Sequence, residues 1–233
     1  MTKNKSVIVV GGGAAGLMSA IHSAWSGAEV IIFEKNSRPA RKVLITGKGR
    51  CNVTNNCSIE TVMNNTPTNP KFLYSALNRF SPEDTMSFFE MLGVELKTER
   101  GNRVFPVSDK AKDIADALIN CAESAGCSIY EKNIKSLIIE NNTIKGVKDS
   151  NGVEYFADSV ILACGGASYP KTGSDGYGYV LARQAGHTVT KIKPSLVPLE
   201  SIESYCCDMM GLSLRNIKID LLDTKTEKTI YSD

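Results

Sequence analysis

No stretch of this 233-residue chain approaches the roughly 20 consecutive apolar residues that a membrane-spanning helix needs. No membrane partner is expected on that ground. The cysteines are Cys51, Cys57, Cys121, Cys127, Cys164, Cys206 and Cys207. Their number is odd and they form no Cys-x-x-Cys pair, so neither a disulfide framework nor a zinc site is favoured. Reduced thiols in the cytoplasm are the simplest reading. A strong charge of one sign is also missing. With a net charge of +2 and no basic stripe interleaved with aromatics, nucleic acid is not an expected partner. The 42% hydrophobic and 22% charged residues describe an ordinary globular protein. Its length suits one large α/β domain, or one domain and part of another.

Against these absences stands one dense signal near the start. The β-branched run Val7-Ile8-Val9-Val10 leads straight into Gly11, Gly13 and Gly16, and a second apolar run, Val30 to Phe33, ends in the acid Glu34. Each piece has a mechanical job in binding a dinucleotide. Gly11 permits the tight turn, Gly13 lets a pyrophosphate approach the main chain, and Gly16 lets the next helix pack closely on the strand. The N-terminal amides of that helix face the phosphates. Glu34 lies where a carboxylate can accept both hydrogens of an adenosine ribose diol. A plain glycine-rich turn would leave the third glycine and the terminal acid without a purpose.

The first helix is predicted from about Ala14 to Ser26, ended by Gly27, with Leu17, Ala20, Ile21 and Ala24 facing inward. His22 reads as a surface or half-buried helix residue. Ser81-Pro82-Glu83-Asp84 reads as a cap, a first-turn proline and first-turn acids for a helix that stops at Gly93. Another helix starts near Ser108 and carries a core stripe through Ala111, Ile114, Ala115, Leu118, Cys121, Ala122 and Ala125. Three strand-like runs are expected between Ser128 and Phe156, separated by hairpin chemistry at Asn141-Asn142 and Asp149 to Gly152. A short strand, Ser159 to Ala163, ends in Cys164-Gly165-Gly166, and a helix follows from about Gly176 to Ala185. Pro194 and Pro198 bracket a linker, after which Ile217, Ile219 and Leu221 alternate as in strands. The chain then stops at Asp233 with no closing element, which reads as the middle of a domain.

Two further segments invite chemistry. Between Asn36 and Asn56 lie the basic residues Arg38, Arg41 and Lys42 and the polar, glycine-rich Gly47-Lys48-Gly49-Arg50-Cys51-Asn52. A long aperiodic stretch inside a compact domain is usually functional. Arg41 and Lys42 can neutralise phosphate, Gly47 and Gly49 can bring amides close to a ligand, and Thr46, Asn52 and Thr54 add neutral donors and acceptors. Alone this would be a solvated basic loop, but beside a dinucleotide fingerprint cofactor contact is preferred. Cys51 could be an activated thiol, although a small residue lining the pocket is the plainer role. The second segment is the turn Ala163-Cys164-Gly165-Gly166, at a strand end where ligands meet doubly wound sheets. Thr172-Gly173-Ser174-Asp175-Gly176 follows, with Ser174 either a helix cap or a functional residue.

Taken in order, Val9 to Leu17, Phe33-Glu34-Lys35 and Gly47-Lys48-Gly49-Arg50-Cys51-Asn52-Val53-Thr54-Asn55 resemble the bacterial BaiN-like flavoproteins, which are NAD(P)/FAD-dependent oxidoreductases. Arg103-Val104-Phe105-Pro106, Ala163 to Pro170 and Gly186-His187 are similar to later signatures of that family. The resemblance implies an α/β fold: a glutathione-reductase-type, FAD-binding Rossmann-like domain with a β-hairpin or meander insertion over residues 1–193, and the start of a β-rich inserted domain over 194–233. By similarity, Gly11, Gly13, Ala14, Ala15 and Gly16 hold the pyrophosphate of FAD, and Glu34, with Lys35 beside it, holds the adenosine ribose. Arg41, Lys42, Thr46 and the Gly47, Gly49, Arg50, Cys51, Asn52 loop run along the flavin. Ile134 lies near the adenine through its backbone, and Ala163, Cys164, Gly165 and Gly166 close over the cofactor. The family usually has threonine where Cys164 stands.

The resemblance also implies that NAD(P)H is the transient reductant and a small organic molecule the substrate, with no catalytic acid or base assigned. It makes the chain look like an N-terminal fragment whose missing C-terminal part is a partner in completing the flavin wall. Two other readings stay open: a catalytically silent nucleotide-binding fragment, and a simple NAD-binding dehydrogenase. The long Gly47 to Asn55 loop and the hairpin insertion argue against the last.

Overall fold

The computed structural model describes residues 5–196, 200–213 and 217–232. Pro198, expected to bracket a linker, lies outside the described residues. The chain opens with β1 (Ser6–Val10), α1 (Ala14–Trp25) and β2 (Glu29–Glu34). A kinked 3-10 segment (Val43–Gly49) and the two-residue β3 (Thr54–Asn55) follow, then short helices α2 (Ile59–Asn64) and α3 (Tyr74–Arg79) and the longer α4 (Pro82–Met91). Next come β4 (Leu96–Glu99), β5 (Arg103–Pro106) and α5 (Ala111–Ser124). The strands β6 (Ser128–Glu131), β7 (Ile134–Glu140), β8 (Thr143–Asp149), β9 (Glu154–Phe156) and β10 (Ser159–Leu162) lead to α6 (Tyr177–Gln184).

Four of these strands form a parallel sheet in the order β10-β1-β2-β6, with Val9 opposite Ile161 on one side and Ile32 on the other. Both faces are covered, which is why Val7 to Val10 of β1 form a continuous apolar run rather than alternating. The two faces still sort by residue parity. Val9 and Ile32 pack among Leu17 and Ile21 of α1 and Ile114 and Leu118 of α5. Ile8, Val10 and Phe33 pack on the other side with Leu137, Val147 and Leu181. Burying a leucine or isoleucine as fully as these contributes about 1.5–3 kcal/mol each.

The local rules hold where they were strongest. Ser81 and Asp84 form a reciprocal capping box, with Pro82 in the first turn of α4. Asn141 and Asn142 both take positive φ, 48° and 58°, as a two-residue hairpin between β7 and β8 requires. Elsewhere the structure corrects the expectation. The stretch from Ser128 to Phe156 holds four strands, not three. β6 joins the parallel sheet beside β2, and only β7, β8 and β9 form the antiparallel meander. No glycine or proline separates Ile129 from Ile134, so no strong turn signal marks the change of sheets at Lys132-Asn133. α5 begins at Ala111 rather than Ser108, whose hydroxyl instead bonds the Asp113 carboxylate.

Residues 1–189 pack as one compact unit and residues 190–233 as a second. The second unit holds a hairpin of β11 (Asp220–Leu222) and β12 (Thr229–Ser232). It also holds one helical turn, α7 (Tyr205–Asp208), which sequence reading missed because four residues carry no helical period. No helix among the described residues is long and apolar enough to cross a membrane.

Candidate functional site

The carboxyl ends of β1, β2 and β10 face a cleft of about 550 Å³, the place where open α/β sheets bind ligands. Gly11 makes the turn out of β1 at φ +107°, and a Cβ there would stand 2.5 Å from the carbonyl oxygen of Ala163. Only glycine fits both demands. α1 then begins after Gly13 without any side-chain cap. Helix geometry leaves the amides of Ala14, Ala15 and Gly16 with no carbonyl of their own helix to reach. A Cβ on Gly13 would meet nothing within 4 Å, so the helix start is open to a ligand. Gly16 sits behind this opening, where a Cβ would fall 1.8 Å from the Gly11 carbonyl oxygen. Gly11, Gly13, Ala14 and Ala15 line the cleft, while Gly16 allows its shape from outside.

Glu34, 8% exposed, closes the far end of β2. Its Oε2 accepts the Gly12 amide at 2.7 Å, and its Oε1 accepts both the amide and the side-chain nitrogen of Asn36, at 2.8 and 2.6 Å. A carboxylate offers about four acceptor positions. Three are committed here, so the expected grip on a ribose diol narrows to one hydroxyl while Asn36 keeps its place. Asn36 is therefore a residue that sequence reading missed. Its position two residues past the acid, within reach of that carboxylate, was the available signal.

Lys35, Arg41, Lys42 and Thr46 also line the cleft. Lys35 Nζ pairs with Asp175 at 2.8 Å, holding the Asp175 carboxyl below its usual range, and Lys42 Nζ donates to the Ser168 carbonyl at 2.8 Å. Arg41 makes one longer bond, 3.3 Å, to Asn36 Oδ1. On the opposite wall Ile134 stands with Lys132 and Asn133, which the sequence had not marked. The Lys132 amide donates to the Glu34 carbonyl, fixing that wall to β2. Ala163, Cys164 and Gly165 also line the cleft, but Gly166 does not reach it. Burial raises the Cys164 thiol above its ordinary pKa, so it sits in the cleft as a neutral group.

The second glycine-rich loop lies elsewhere. Gly47, Gly49, Arg50, Cys51 and Asn52 are absent from the cleft lining. Arg50 pairs with both Glu99 and Asp109 and lies over the Phe105 ring, 4.1 Å from its centroid. The hydrogen bond from Arg50 lowers the Glu99 carboxyl, and the bonds from Lys97 and then Arg50 lower Asp109. Cys51 is buried in the core at φ +61°. Burial raises its thiol pKa, which disfavours the thiolate a nucleophile needs. With its amide nitrogen turned to donate, Asn52 reaches the Thr54 and Val104 carbonyls at 2.9 and 3.2 Å. Ser174 is not a helix cap, since α6 is capped by Gly176 and the Tyr177 amide is taken by Asp175. Among the described residues no cluster of His, Cys, Asp and Glu is gathered for a metal.

Comparison with known proteins matches residues 5–232 to the family described as HI0933-like protein Rossmann domain. The chain is 36% identical over 194 residues to a 3-dehydro-bile acid delta(4,6)-reductase of Clostridium scindens, covering 82% of this chain and 46% of that protein. It is 30% identical over 220 residues to a ribosomal RNA dihydrouridine synthase of Haemophilus influenzae, covering 92% and 54%. The chain thus spans about half the length of these curated relatives. Among solved structures, a 3-ketosteroid-delta4-(5alpha)-dehydrogenase from Rhodococcus jostii RHA1 shares the fold. Its TM-score is 0.61 at 16% identity, over 80% of this chain and 55% of that one.

Proposed function

Because the chain belongs to the HI0933-like Rossmann-domain family, we propose that it forms the FAD-binding half of an oxidoreductase that moves a hydride between NAD(P)H and a small organic substrate. One observation carries the cofactor reading: the uncapped start of α1, open at Gly13, shares a single cleft with the buried carboxylate of Glu34. A pyrophosphate suits the first feature and a ribose hydroxyl the second. The residues present therefore fit an adenine dinucleotide.

In this reading the amides of Ala14 and Ala15 bind the pyrophosphate, and Arg41 adds positive charge from the cleft wall. Glu34, preset by Gly12 and Asn36, accepts one ribose hydroxyl. Ile134 and its neighbours bound the adenine. When bound, FAD would supply the hydride chemistry, which no side chain here can perform. The substrate reading leans on the relatives' names. The bile acid reductase is 36% identical, and its name gives a 3-dehydro-bile acid as what it reduces. A second reading, reduction of a uridine in ribosomal RNA, is favoured by the 92% of this chain matched to the Haemophilus influenzae synthase.

The test is to purify this chain beside a version extended to its relatives' length and record visible spectra. Flavin bands with about one FAD per extended chain, and NAD(P)H oxidation driven by an unsaturated ketone, are expected. A colourless extended protein that binds NAD instead would overturn the flavin assignment. Turnover on ribosomal RNA but not on small ketones would select the second reading.

A further inference from the structure

The loop between β10 and α6 carries one serine that no internal role accounts for. Its neighbours are all committed. The amides of Thr172, Gly173, Asp175 and Gly176 donate to the carbonyls of Tyr169, Pro170, Gly173 and Gly166. The Thr172 hydroxyl donates to the Tyr169 carbonyl, and Asp175 takes Lys35 and the Tyr177 amide. Ser174 is 7% exposed, yet neither its amide nor its hydroxyl has a hydrogen-bond partner among the described residues. A hydroxyl in a residue this buried, with no protein partner, is left to face water or a ligand.

The hydroxyl has somewhere to point. No buried side-chain nitrogen or oxygen among the described residues is both sealed from solvent and unbonded, so Ser174 Oγ keeps an open side. Ser174 also lines the cleft. On one flank is Gly165, at φ +75°, where a Cβ would stand 2.7 Å from Ser174 Oγ. On the other, Gly173 packs against Asn36 and Lys35, the residues that follow Glu34, with room for no Cβ beside Asn36 Nδ2. Two glycines thus hold the loop so that a serine hydroxyl stands between the β10 turn and the acid end of β2.

We propose that Ser174 is a ligand-binding residue, donating its hydroxyl hydrogen to an oxygen of the ribose-phosphate in the ADP half of the cofactor. This rests on the dinucleotide reading above and names a contact that reading does not need. The chemistry is a neutral donor meeting an anionic or hydroxyl oxygen, in a place where both lysine neighbours are already engaged.

The experiment titrates ADP by calorimetry into the wild-type chain, Ser174→Ala and Ser174→Cys, and melts each protein without ligand. Removing a hydroxyl that bonds no protein group is expected to leave the melting temperature nearly unchanged. ADP is expected to bind Ser174→Ala about tenfold more weakly, the scale of one hydrogen bond to a charged oxygen. Ser174→Cys keeps the shape with a poor donor and is expected to weaken binding as well. Unchanged affinity in both variants, or a fall in melting temperature that accompanies the loss, overturns the proposal. A wild-type chain that takes no ADP sinks the dinucleotide reading and this contact with it. A wild type that binds while Ser174→Ala binds equally well sinks this contact alone.

Discussion

The loops 11–16 and 46–52 are both rich in glycine, and they use it for opposite ends. In the first, glycine removes side chains so that the main chain can face a cleft, and none of residues 11–16 is itself charged. In the second, Gly47, Lys48, Gly49 and Cys51 all take positive φ, and the loop curls onto itself. There the Arg50 guanidinium is spent on Glu99, Asp109 and the Phe105 ring. A basic, glycine-rich loop is therefore not by itself a phosphate site. What matters is whether acids elsewhere in the fold claim its cation first.

The sharpest way to break that contrast lies within the first loop. Gly16→Ala places a methyl 1.8 Å from the Gly11 carbonyl oxygen and is expected to cost roughly 4 kcal/mol or more, read as insoluble or poorly folded protein in thermal unfolding. Gly13→Ala, where no atom stands within 4 Å, should instead shift stability by no more than about 1 kcal/mol. It should still weaken ADP binding by about 1.5–3 kcal/mol, by intruding on charge-assisted bonds to the helix start. Equal behaviour of the two variants would mean that the loop serves packing alone.

The second loop makes a gentler prediction. Glu99 and Asp109 are held below their ordinary carboxyl pKa by Arg50 and Lys97. A depressed native pKa means that the stabilisation is fully present above the unfolded value of about 4 and is lost as pH falls through the native value. The melting-temperature gap between wild type and Arg50→Met should therefore persist at pH 7 and close in the acid range below pH 4. High salt should narrow it at neutral pH, since these pairs are exposed. A gap that ignores both pH and salt would assign Arg50 to packing on Phe105. The smallest effect concerns thiols. At pH 8 a disulfide reagent should label exposed Cys207 and leave buried Cys51 untouched until denaturant is added. Rapid labelling of Cys51 in the native protein would contradict its place in the core.

The same contrast marks how far the sequence could be read. β1, the first glycines and Glu34 form a local unit whose parts sit within about two turns and two strands, so pattern and spacing were enough. The capping box of α4 and the stripe of α5 were equally local. The pairing of Arg50 was not legible because its acids lie 49 and 59 positions away, where no local pattern points. β6 was not separated from β7 because a strand-like run does not name the strand's partner. Ser174 was undecided for a related reason. A hydroxyl before a helix resembles a cap until the amide it should bond is seen bonded to Asp175.

The strand order carries a consequence for how the protein is made. β1 leaves the ribosome long before one of its two neighbours, β10, which begins only at Ser159. Until then the nascent chain presents an unpaired, largely apolar strand edge, the kind that invites mispairing. The wall at Ala163 to Gly165 emerges in the same interval, so no nucleotide can be fully enclosed before it. Ribosome stalling or proteolysis ahead of Ser159 would leave a product that has its phosphate loop but an open seam beside it. Such products are expected to depend on chaperones rather than on cofactor for their solubility.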